Sequence, residues 1–139
     1  MPKTKQLVTT MQEDIAVVTF QEARILDERN VQEIARELND LIDKQYRTKM
    51  ILNLGNVQYL SSAVIGKIAA LHKRLQEENG ELKICCVKKE IMEIFKVTGL
   101  DKRIDFHADL PQALAVFKYW RPKKKDAPKK TGFWGLFKK

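Results

Sequence analysis

The run Met50-Ile51-Leu52-Asn53-Leu54, apolar but for one asparagine, constrains this 139-residue chain more than any other segment. A strand that is apolar toward both faces is stable only inside a sheet covered on both sides, and such sheets are largely parallel. The run passes through Gly55-Asn56-Val57-Gln58-Tyr59-Leu60 to Ser61-Ser62, after which Val64, Ile68, Leu71 and Leu75 recur at helical spacing. A central strand, a turn and a helix begun by two hydroxyl residues therefore form the middle of the fold. That helix is expected to stop near Asn79-Gly80, with the glycine taking a left-handed conformation.

The flanking segments fit around this unit. Leu7 to Met11 and Ile15 to Phe20 are rich in Val, Ile, Thr and Phe, and the polar Gln12-Glu13-Asp14 between them predicts a β-hairpin. After a loop around Ala23 to Glu28, the stripe Val31, Ile34, Leu38, Leu41 and Ile42 predicts a helix with one buried face. Leu82 to Val87 reads as a strand, Glu90 to Val97 as a short helix stopped by Gly99, and Arg103 to Phe106 as an edge strand. Leu110 to Trp120 reads as a last helix with Leu110, Ala113, Leu114 and Phe117 inward. The order β-β-α-β-α-β-α-β-α predicts one α/β domain with a mixed, mostly parallel sheet, opened by a hairpin and packed by about four helices.

Composition shifts abruptly past Trp120. Residues 121–139 hold eight basic residues against Asp126 alone, so nearly all of the net charge of +8 belongs to a basic tail that reads as flexible. The boundary expected is a domain over 1–120 and a tail over 121–139. The near-neutral domain offers no electrostatic case for binding nucleic acid. The first residues carry neither the apolar core of a signal peptide nor a membrane-spanning run, which predicts a cytoplasmic protein.

The search for chemistry yields little that is enzymatic. Cys85 and Cys86 are adjacent, and on a strand they would face opposite ways, so they read as reduced thiols and suit neither an ordinary disulfide nor a four-ligand zinc site. His72 and His107 have no partners at metal-ligand spacing. No glycine-rich phosphate loop precedes a helix, so no cofactor, metal or catalytic residue is expected. Ser61 or Ser62 has two readings. Either hydroxyl caps the helix, contributing about 1 kcal/mol, or the helix start, with its unpaired N–H groups and positive dipole end, tolerates a phosphoserine that changes the surface charge.

The turn Tyr59-Leu60-Ser61-Ser62-Ala63-Val64-Ile65-Gly66, the downstream Gly80-Glu81-Leu82 and the segment Phe95-Lys96-Val97-Thr98-Gly99-Leu100 resemble the STAS family of anti-sigma factor antagonists over roughly residues 5–118. The resemblance implies a non-enzymatic regulator that binds an anti-sigma factor or a similar serine kinase, with a phosphatase as a further partner. It places Ser62, less readily Ser61, at the family's phosphoserine. Ser61, Ala63 and Val64 stand where the family has an aspartate, a second hydroxyl residue and a glycine. A partner surface of Asp27, Tyr59, Ser61, Ser62, Ala63, Val64 and Lys67 follows, although Asp27 reads equally well as a helix cap.

The tail carries a separate expectation. Lys123, Lys124, Lys125, Lys129 and Lys130 precede Phe133, Trp134, Leu136 and Phe137. Cations beside interfacial aromatics suit an anionic membrane surface, and would make the protein a scaffold or accessory subunit held peripherally at the inner membrane face. The same residues suit an acidic partner or single-stranded nucleic acid, or simply keep a solvated terminus soluble.

Overall fold

The computed structural model describes residues 7–120. Two strands, β1 (Leu7–Gln12) and β2 (Ile15–Phe20), form the expected antiparallel hairpin, with Leu7 opposite Phe20 and Gln12 opposite Ile15. Glu13 turns the chain with φ 58. The loop predicted after β2 contains a two-residue strand, β3 (Arg24–Ile25), before α1 (Glu28–Gln45). The nearly continuous apolar run is β4 (Lys49–Asn53), followed by a second two-residue strand, β5 (Tyr59–Leu60), and α2 (Ser62–Glu77). Then come β6 (Glu81–Cys85), α3 (Lys89–Thr98), a 3₁₀ turn (Leu100–Lys102), β7 (Asp105–His107) and α4 (Leu110–Lys118).

Five strands lie in the order β1-β2-β4-β6-β7, all parallel beyond the hairpin, while β3 and β5 pair separately in parallel. β4 holds the central place that its composition demands, with Met50, Ile51 and Leu52 fully buried. On one face Ala16, Val18, Phe20, Met50, Leu52, Leu82 and Ile84 meet the apolar stripes of α1, α2 and α3. On the other, Ile15, Val17, Ile51 and Cys85 meet Ala113 and Phe117 of α4. Each large side chain buried this way contributes roughly 1.5–3 kcal/mol.

Two local expectations are corrected. Gly80 does not take the left-handed conformation; Asn79 does, at φ 63. Gly80 is instead required by a close approach, because a Cβ there would meet the Thr48 carbonyl oxygen at 2.0 Å. Gly99 does stop α3 as expected, with φ 79. The cysteines are not an alternating pair on one strand: β6 ends at Cys85, and Cys86 turns away with φ 66, which leaves the two sulfurs 3.5 Å apart. Both are free thiols, Cys85 buried and Cys86 half-buried.

The sheet also buries a lysine that its sequence does not announce. Lys83, 1% exposed, points from β6 toward α4, where its ammonium lies 2.7 Å from Asp105, 3.5 Å from Glu81 and 5.0 Å from the centre of the Phe117 ring. Two carboxylates and an aromatic face replace the water that it gives up.

Candidate functional site

The segment between β4 and α2 is pinned at every step. Leu54, Val57 and Leu60 are buried anchors. The Leu54 N–H donates to the Cys85 carbonyl at 3.1 Å, and the Gly55 N–H to Asn53 Oδ1 at 2.9 Å. Asn56 Nδ2 donates to the Phe20 carbonyl at 3.2 Å, and Lys88 Nζ to the Gly55 carbonyl. Backbone N–H groups of Gln58 and Tyr59 then reach the Ala23 carbonyl, at 2.7 and 3.0 Å, and that of Ser61 reaches the Ile25 carbonyl at 3.0 Å.

These bonds and the pairing of Ile25 with Leu60 clamp two chain segments side by side. Leu26 and Asp27 lead from that clamp into α1, as Ser61 and Ser62 lead from it into α2. The clamp thus sets two helix starts on one rim, where their dipoles present positive ends together.

The two starts are finished differently. Asp27 caps α1, its Oδ1 accepting from the Arg29 N–H at 2.8 Å, and Glu28 adds a second acidic group to that first turn. Ser61 occupies the corresponding position of α2 with extended backbone, yet it makes no side-chain cap. Its hydroxyl is buried without a hydrogen-bond partner. Capping by Ser61 or Ser62, one of the two sequence readings, is therefore not what the structure shows. The first turn of α2 contains no acidic residue either, so its positive end is uncompensated. Ser62, the first helical residue, is exposed, as is Ala63.

Tyr59, 52% exposed, presents its ring beside them under the Arg24 guanidinium, 4.9 Å from the ring centre. Lys67 lies one turn further along α2, half-buried. Val64 departs from the expected surface: it is 1% exposed and its side chain belongs to the main core. Its bulk faces the sheet rather than a visitor at the rim. The tail residues Lys123, Lys124, Lys125, Lys129, Lys130, Phe133, Trp134, Leu136 and Phe137 lie outside the described residues.

An apolar groove of about 510 Å³ next to the rim was not foreseen from the sequence. Leu26, Tyr59 and Leu60 line one wall, and Lys88, Ile91 and Ile94 of the α3 region line the other. The available signal was the apolar pair Ile25-Leu26 in an otherwise mostly polar loop, of which Ile25 is buried and Leu26 is 50% exposed. Among the described residues no cluster of His, Cys, Asp or Glu could hold a metal ion, and no helix is long and apolar enough to cross a membrane.

Layer, rim and groove together define a class: α/β domains whose five-stranded, mostly parallel sheet is covered by helices on both faces, with two helix starts set on one rim. The STAS domain family matches residues 6–113, and the chain belongs to that family. It is 28% identical over 99 residues to a candidate anti-sigma factor antagonist, BtrV of Bordetella bronchiseptica, covering 71% of this chain and 84% of the relative. Its fold is similar to that of a candidate anti-sigma factor antagonist from Thermotoga maritima, with a TM-score of 0.72 at 17% identity over 81% of this chain and 94% of the other. It is also similar to SpoIIAA, a Bacillus cell fate determinant solved in its phosphorylated form. There the TM-score is 0.64 at 14% identity, over 80% of this chain and 98% of the other.

Proposed function

We propose that this protein is an anti-sigma factor antagonist: a non-enzymatic regulator that binds an anti-sigma factor or a kinase-like partner through the rim, with phosphorylation of Ser62 as its switch. One observation carries the proposal. Ser62 is exposed at the first position of a helix whose start has neither a side-chain cap nor an acidic residue. A phosphate added there meets the positive end of α2 and brings nearly two negative charges to the surface, without having to melt the helix. Asp27 already spends its carboxylate on α1, so the new charge alters the rim by local electrostatics and repels a docked partner. The name of the BtrV relative and the phosphorylated state of SpoIIAA support this reading.

The test uses partners captured from the native cells, mass spectrometry of the peptide holding Ser61 and Ser62, and binding by Ser62→Ala and Ser62→Asp. Phosphate on Ser62 is expected, together with binding by Ser62→Ala at least about tenfold tighter than by Ser62→Asp, a difference of ~1.4 kcal/mol. Equal binding by the two variants would sink the switch and leave only a docking module.

A further inference from the structure

The pair Cys85–Cys86 lies behind the rim and takes no part in the function proposed above. The left-handed backbone at Cys86 brings both sulfurs to one side of the chain, 3.5 Å apart. Their backbone is anchored on two sides: Cys85 accepts from the Leu54 N–H at 3.1 Å, and the Cys86 N–H donates to the His107 carbonyl at 3.3 Å. A disulfide requires sulfurs about 2.05 Å apart, so closing one would have to drag this anchored turn. A single atom held by both sulfurs at ~2.3 Å, with an angle of roughly 100° at its centre, leaves them about 3.5 Å apart. The gap is that of two reduced thiols in contact, and it is also the span that a bridging atom would need.

The donor set narrows the choice to soft centres, which two sulfur ligands select, whereas structural zinc takes four ligands. Among the described residues no group of three or more His, Cys, Asp or Glu stands ready for a metal ion. We propose that Cys85 and Cys86 form a two-thiol binding site for a monosubstituted trivalent arsenical.

The chemistry balances without an oxidant. With an arsenical R–As=O, two As–S bonds form and the As=O bond breaks. The two thiol protons leave with the oxygen as one water, and arsenic stays trivalent. Burial holds the Cys85 thiol protonated, its pKa pushed up to about 12. That slows its attack, because the thiolate is the nucleophile, but it leaves the overall balance unchanged, since its proton leaves in the product water. Half-buried Cys86 takes the incoming centre first, and Cys85 then displaces the remaining oxygen.

The experiment treats the full chain with phenylarsine oxide. Intact-mass analysis is expected to show one phenylarsenic group per chain, both thiols protected from iodoacetamide when the treated chain is unfolded in urea, and release by a dithiol but not by a monothiol. Cys86→Ser keeps a half-buried residue of similar size, and its folding is checked by circular dichroism. Losing the second thiol removes the chelate, so affinity is expected to fall by ~100-fold or more. The proposal is overturned if Cys86→Ser binds as tightly as the native chain, or if both thiols of the treated protein, unfolded in urea, alkylate at the untreated rate. It is equally overturned if the purified protein has no free thiols because the pair is already a disulfide.

Discussion

Asp27 and Ser61 hold equivalent places at neighbouring helix starts, and their side chains do opposite things. The Asp27 carboxylate satisfies a backbone donor, whereas the Ser61 hydroxyl is buried with nothing to bond. Removing a working cap costs about 1 kcal/mol, while removing a buried hydroxyl that has no partner relieves a desolvation cost. Asp27→Ala is therefore expected to lower stability by about 1 kcal/mol. Ser61→Ala should leave stability unchanged within ~0.5 kcal/mol or raise it. Urea unfolding of the two variants beside the native chain measures this, and equal losses would show that Ser61 caps α2 in solution. The difference was not legible in the sequence, where serine before an apolar stripe reads as a cap. Which way a hydroxyl turns depends on the walls around it, here the packing of β5 against β3.

At the scale of elements, long periodic segments were legible and short ones were not. The stripe of α1 and the double-sided apolar run of β4 each contain enough residues to display a period. β3 and β5 contain two residues each, and they exist because the chain brings Arg24 beside Tyr59 and Ile25 beside Leu60. The rim depends on that pairing, so Asp27, Tyr59, Ser61 and Ser62 could be named in advance while the clamp that brings them together could not. The junction of α2 with β6 is a second example. A glycine after Asn79 suggested a helix stop, yet the reason for Gly80 is the Thr48 backbone pressed against it. Gly80→Ala is accordingly expected to destabilise the protein by at least about 1–3 kcal/mol through overpacking. Asn79→Gly, at a position already left-handed, should change little. A Gly80→Ala midpoint in urea equal to that of the native chain would refute the close approach.

For the whole molecule, pH acts through two joints and one partly buried histidine. Asp14, held by the Lys49 ammonium at 2.7 Å, ties the hairpin turn to β4, and Asp43 ties α1 to α2 through Arg74. Both carboxyls sit below their ordinary 3.8, chiefly because of those hydrogen bonds. Their stabilisation is present above that value and is lost as pH falls through the lowered native ones. His72 sits below its ordinary 6.5 because it is partly buried. The unfolded chain takes up that proton first, so stability begins to fall as pH drops past the ordinary value. The melting temperature is expected to decline in two stages on acidification, and His72→Gln should remove the earlier one; an unchanged profile in that variant would exclude His72 as its source. The uneven covering of the sheet acts on a different axis, the order of synthesis. Three helices close the larger core before α4 is made, and domains begin to fold while the chain is still emerging from the ribosome. A chain released at Asp109 would carry every residue of that larger core and still show water the flank of Ile15, Val17 and Ile51 that α4 was to cover. The last helix thus comes late in synthesis to a flank that would otherwise face water and other chains.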